Sequence, residues 1–178
     1  YSLAKAAALR GAEVTLISGP TSLRPSSLLN DVIMVSNAQE MLKNVQKKID
    51  NMDIIIMTAA VSDFRPVDIK KHKIKKESIN NLSIDLKKNP DIISMISANI
   101  NDKQLLIGFA AESQKLIENA KKKLKNKNMD MIIANNINAF SKDTNQAIII
   151  TSDKIKKIPK MRKFDLANHI LNNIKDIY

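Results

Sequence analysis

Three short, unbroken apolar runs constrain the fold of this chain more than any other feature. They are "DIIIMTA" at 53–59, "QLLIGFAAE" at 104–112 and "MDMIIAN" at 129–135. Each has strand length, and two are rich in isoleucine. Strands apolar on both faces belong to parallel sheets covered by helices on either side. The intervening segments have a different period. In "NAQEMLKNVQKKID" (37–50), Ala38, Met41, Leu42, Val45 and Ile49 recur at three- and four-residue steps, as on one face of a helix. Asn37 stands at its cap and Glu40 in the capping-box position.

The remaining chain continues the alternation. A helix is expected over 2–10, stopped by Gly11, with strands over 12–18 and 31–36. An irregular stretch is expected from 60 to 81, a short strand over 82–86, and a helix over 89–100 with Pro90 in its first turn. A lysine-rich helix follows over 113–127, then a hairpin of 146–151 and 154–159 around Ser152-Asp153, and a closing helix over 163–177. Strands alternating with helices predict an α/β fold: a doubly wound, mostly parallel Rossmann-like sheet with helices on both faces and a C-terminal hairpin. No internal repeat or linker appears, so 1–178 is read as one domain. Ligands of such sheets bind beyond the carboxyl ends of the strands. Those ends carry "SGP", "AAVSDFRP", "GFAAES" and "ANN".

Composition narrows the chemistry. The chain has no cysteine, which excludes disulfides, thiolate metal sites and cysteine nucleophiles. His72 and His169 lie far apart, without a paired-histidine motif. No apolar run approaches the roughly 20 residues that span a bilayer, and no signal peptide is visible, so a cytoplasmic location is expected. A formal charge of +11 invites a nucleic-acid reading, but lysines are spread along the whole chain and aromatics make up only 3%. A solvated basic surface accounts for the charge, with lysines gathered around an anionic small molecule as the alternative. The chain starts at Tyr1 in what reads as mid-helix, so the first strand of the fold is expected before it.

There is no Gly-x-Gly-x-x-Gly and no Walker-type loop, and only three glycines occur in all. Either a phosphate loop is expected before Tyr1, or phosphates are held by lysines and helix ends. Four stretches carry candidate chemistry. In "AAVSDFRP", Ala59 and Ala60 allow close approach to the backbone, and Asp63 can accept from a ribose hydroxyl or base, or else pair with Arg65 or cap a turn. In "KIKK", Lys73 and Lys75 share a strand face, either neutralising phosphate charge or protecting an exposed edge. "KKNPDII" presents helix amides to an anion, or simply starts a helix. Lys123 and Lys127 sit four apart on one helix face, where they repel unless an anion lies between them, or else form a solvated face.

The order and spacing of these stretches are more specific than any one of them. "AAALRGAEVTLISGPTSL", "AAVSDFRP", "KIKK", "LKKNPDII", "GFAAES", a lysine-bearing helix and "IIANN" follow one another over nearly the whole chain. This series resembles the phosphopantothenate–cysteine ligase family, the synthetase half of the bacterial coenzyme A biosynthesis flavoprotein. The resemblance implies a ligase that joins 4′-phosphopantothenate to L-cysteine using CTP and Mg²⁺, through an acyl-cytidylate. It implies a homodimer in which the "KIKK" region of one subunit completes the other's site. FMN would belong only to a fused decarboxylase domain, if present. By similarity, Lys73 is the catalytic residue and also contacts the nucleotide. Asp63, Pro90, Asp91, Ile92, Ile93, Phe109, Lys123 and Lys127 bind the nucleotide, and Ala59, Ala60 and Asn135 shape the substrate pocket. The metal ligands are not indicated.

The sequence departs from the family pattern in three places. Asn136 stands where an Asp is usual, and Phe64 where Tyr is frequent. The glycine-rich first strand and the Asn-x-Ser-Ser-Gly segment are expected before Tyr1, so residues 1–178 alone are expected to be incomplete for catalysis. Two rival readings follow: a nucleotide-binding remnant of the fold without turnover, and a basic nucleic-acid-binding module.

Overall fold

The computed structural model describes residues 1–69, 72, 81–136 and 144–178. Helix α1 (Ser2–Leu9) ends at Gly11, whose φ of +85° lies in the left-handed region that glycine enters without strain. Strand β1 (Thr15–Ser18) pairs in parallel with β2 (Asp31–Met34). Helix α2 (Ala38–Lys48) then opens with the expected cap. The Asn37 side chain accepts the Glu40 amide at 2.9 Å, and Glu40 reaches back to the amide of Ser36 at 2.8 Å. Hydrogen bonds from the Ser36 amide and hydroxyl hold the Glu40 carboxyl below its ordinary pKa.

The main sheet is built from β3 (Ile54–Met57), β6 (Leu105–Glu112), β7 (Met131–Asn136), β8 (Thr144–Ile150) and β9 (Ile155–Arg162), adjacent in that order. The pairs β3–β6 and β6–β7 are parallel, and β8 and β9 add the antiparallel C-terminal hairpin. Helices cover both faces, as the apolar runs require. Side chains alternate across the sheet: Leu106, Ala110, Ile132, Ala134 and Ile150 face one core, together with α2, α3 (Ile92–Ser97) and α4 (Leu116–Asn126). Ile107, Met131, Ile133, Ala147 and Ile149 face the other, against Leu166, Ile170 and Ile174 of α5 (Lys163–Lys175) and Leu3 of α1. Leu106, Ile107, Met131, Ile132 and Ile150 are wholly buried. The mixed α/β class with a central parallel sheet is therefore the one the periodicity predicts.

Local expectations need correction at three points. The strand expected over 82–86 lies instead at β5 (Leu86–Lys88), pairing antiparallel with β4 (Phe64–Pro66) inside the stretch read as irregular. Alternation in "LSIDL" reflects no core face here, because Leu82, Ile84 and Leu86 are all exposed. The helix expected over 89–100 contracts to Ile92–Ser97, because Asp91 takes the cap and leaves Pro90 outside it. Likewise α4 starts at Leu116 rather than 113, since Lys115 before it adopts a left-handed φ of 48°.

Candidate functional site

Strand β3 ends at Met57 and releases the chain into the 58–63 loop, above the parallel part of the sheet. There, a cavity of about 600 Å³ opens between this loop, the β5–α3 junction and α4. Its size is that of an ordinary small-molecule site. Met57, Ile93, Met129 and Ile132 form an apolar floor, and Ser62, Asp63, Lys88, Asn89, Asp91, Lys123 and Lys127 form a polar wall. A ligand with a flat or apolar part above such a floor and anionic groups toward the lysines fits this division.

Asn89 holds the loop in place. Its amide donates to the Asp63 carbonyl at 2.8 Å, and its side-chain nitrogen donates to the Ser62 carbonyl at 2.8 Å. Its side-chain oxygen accepts from Arg65 at 2.9 Å, while the same Arg65 nitrogen donates to the Lys88 carbonyl at 2.7 Å. Arg65 is thus spent on the β4–β5 junction and does not pair with Asp63. The Asp63 carboxylate stands at the cavity with no ion pair among the described residues.

Lys123 of α4 and Lys127, the residue that follows the helix, are not a bare, repelling pair. Lys127 Nζ donates to both Asp91 oxygens, at 2.9 and 2.8 Å. Lys123 Nζ is held by Glu112 at the end of β6, and Asn119 donates to the other Glu112 oxygen at 3.3 Å. Burial alone would raise the Asp91 carboxyl; the hydrogen bond from Lys127, those from Ser94 and the Lys127 charge outweigh it and hold the group below its ordinary value. The Lys123 hydrogen bond, more than any other contact, holds Glu112 low. Asp91 also caps α3, accepting the Ser94 amide at 3.3 Å. This junction therefore caps its own helix, as plain helix initiation requires.

Of the residues singled out in the sequence, Ala59, Asp63, Pro90, Asp91, Ile92, Ile93, Phe109, Lys123 and Lys127 are brought to this one cavity. Ala60 is exposed outside it, and Asn135, at the carboxyl end of β7, does not line it. Lys73 lies outside the described residues, as do Lys75 and Lys76. Sequence reasoning missed Asn89 and Glu112 and, of the apolar floor, Met57, Met129 and Ile132. Asn89 had a usable signal, since Asn-Pro favours turn initiation. Glu112 and Met129 had none, because their roles depend on partners 11 and 21 residues away, Lys123 and Gly108. Among the described residues, no group of three or more His, Cys, Asp or Glu side chains is placed to hold a metal. No helix among them is long and apolar enough to cross a membrane.

The chain matches the family described as "DNA/pantothenate metabolism flavoprotein C-terminal domain" over residues 1–178. It is 45% identical over 172 residues to the coenzyme A biosynthesis bifunctional protein CoaBC of Borreliella burgdorferi, covering 96% of this chain and 44% of that protein. It is 41% identical over 179 residues to the protein of the same name from Bacillus subtilis, covering 98% and 44% respectively. The chain thus spans less than half the length of these curated relatives. Among solved structures, the crystal structure of the C-terminal domain of a coenzyme A biosynthesis bifunctional protein CoaBC superposes with a TM-score of 0.83 at 36% identity, covering 99% of this chain and 80% of that one. By its sequence over its whole length and by its fold, this chain belongs to the family of DNA/pantothenate metabolism flavoprotein C-terminal domains.

Proposed function

We propose that this domain joins 4′-phosphopantothenate to L-cysteine at the expense of CTP. The observation that carries the reading is one cavity that combines an apolar floor with a wall bearing Lys88, Lys123 and Lys127. In this reaction the substrate carboxylate attacks the α-phosphate, the bond to pyrophosphate breaks, and an acyl-cytidylate forms. The cysteine amine then attacks the acyl carbon, and CMP leaves. The substrate brings its own nucleophile, so the protein needs cations and oriented groups rather than a serine or cysteine. Lys123 and Lys127 hold the triphosphate, the apolar floor takes the base, and Asp63 faces the nucleotide. Lys73 stabilises the charge that develops during acyl transfer.

Mg²⁺ is usually held by substrate phosphates and one or two carboxylates. Asp63, unpaired among the described residues, fits that part, whereas Asp91 and Glu112 are already held by lysines. When bound, Mg²⁺ would neutralise triphosphate charge. A second copy of the chain completes the site. Supporting this, Phe64, Val67, Ile69, Leu82, Ile84 and Leu86 are all exposed large apolar side chains around the β4–β5 ladder.

The test is pyrophosphate release by the full-length protein with phosphopantothenate, Mg²⁺ and either CTP or ATP, with and without cysteine, beside Lys73→Gln. Release that needs CTP and phosphopantothenate and is lost in the variant supports the reading. A folded protein that releases none with either nucleotide refutes it. Mixing inactive Lys73→Gln and Lys127→Gln proteins tests the shared site: partial recovery of activity is expected, and none refutes the exchange of Lys73 between subunits.

A further inference from the structure

We infer that Gly108 and Met129 together set the depth of the cavity floor, and so decide which base the nucleotide site accepts; the inference rests on the nucleotide reading above. Gly108 lies in β6, level with Met57 of β3 and Ile132 of β7. It is buried, and it faces the same helical layer as Leu106 and Ala110. A Cβ at this position would stand 2.4 Å from the Met129 sulfur and 3.1 Å from Ile93 Cδ1. The first distance is closer than any real Cβ contact. The space a side chain would take is therefore already filled by the thioether of Met129.

Both neighbours also line the cavity. The backbone of Met129 is fixed by the left-handed φ of 43° at Asn128 and by its amide bond to the Leu124 carbonyl at 3.0 Å. A methionine side chain is flexible, so a methyl group at 108 displaces the thioether rather than the backbone. Ile93 blocks the way toward α3, and the buried Leu106 and Leu124 fill the core behind. The cavity, which Met129 and Ile93 both line, is open to the displaced thioether. A triphosphate gains nothing from an apolar floor and stays with the lysines, so floor depth acts on the base alone.

The test measures dissociation constants of the full-length protein for CTP, ATP and inorganic tripolyphosphate, which has no base. Gly108→Ala is expected to weaken CTP binding roughly tenfold or more, the scale of a mismatched methyl group in an apolar pocket, and to leave tripolyphosphate unchanged. Met129→Ala is expected to narrow the gap between CTP and ATP, and the double variant to recover CTP binding. Met129→Val, a smaller truncation, should shift the same ratio less and guards against a variant that does not fold. An unchanged CTP-to-ATP ratio in a folded Met129 variant overturns the inference, even if the double variant regains stability. Parallel loss of tripolyphosphate in Gly108→Ala overturns it as well. Wild type that binds none of the three ligands refutes the nucleotide reading itself, and is recognised without any variant.

Discussion

Replacing Glu112 by Gln should strengthen triphosphate binding while slightly weakening the fold. Glu112 holds Lys123, and its side chain is 19% exposed against 46% for the lysine. Any phosphate that recruits Lys123 must compete with this carboxylate. The Coulomb energy of two unit charges in contact is about 4 kcal/mol at an effective dielectric of 20. Measured exposed pairs yield only about 0.2–1 kcal/mol, because solvent and side-chain entropy take back most of it. With one partner half in water, the value belongs near the top of that measured range rather than at the Coulomb figure. Removing about 1 kcal/mol of competition corresponds to roughly fivefold tighter binding. Glutamine keeps the shape and an acceptor for Asn119, so the change isolates the charge. Titration calorimetry with tripolyphosphate, at low and at physiological salt, reads the effect, and thermal melting reads the stability. The gain should shrink as salt screens the pair. Unchanged or weaker binding in a folded Glu112→Gln protein would refute the competition.

Three other outcomes follow from the same geometry. Asn89→Ala removes the side-chain bonds to Ser62 and Arg65 and should cost about 1–3 kcal/mol of stability, with KM for the nucleotide rising more than kcat falls; urea melts and steady-state kinetics check both, and an unaltered KM would show that the loop holds its place without Asn89. Ile170→Ala empties a wholly buried position on the α5 face, away from the cavity; it should destabilise by about 2–5 kcal/mol yet leave nucleotide affinity unchanged, and a marked affinity change would mean the two cores are coupled. Acid should weaken the site: Asp91 and Glu112 are held below their ordinary values of 3.8 and 4.5, so their pairs stabilise the chain at neutral pH and lose that contribution as pH falls through those values and below. Melting temperature against pH should therefore drop less steeply in Asp91→Asn/Glu112→Gln than in wild type, and identical slopes would count against the pairs.

Much of the candidate site was legible because its residues sit next to strong strands. Periodicity places the stretches that hold Asp63, Asp91, Phe109 and Lys127 after a strand or on a helix, the family resemblance singled out these four residues, and all four reach one cavity. Asn135 was placed by the same logic but lies beyond the wall, because a strand end can point away from its neighbours' cavity. The region around the β4–β5 ladder was misread for a different reason. Alternating residues promise a buried face only where something covers them, and in the described chain Leu82, Ile84 and Leu86 remain open.

By itself the sequence determined the class of fold and the family. Apolar runs such as "QLLIGFAAE" call for burial on both faces, which helices above and below a sheet provide. What the tertiary structure alone decided is the state of the site. Lys123 and Lys127, one turn apart at the end of α4, look like a repelling pair until Glu112 from β6 and Asp91 from the α3 cap are brought to them. Gly108 looks like an incidental small residue until Met129 fills its missing side chain. Period and propensity are local and can be read along the chain. Charge pairing and packing depend on which distant residues share a few ångströms, and folding alone brings them together.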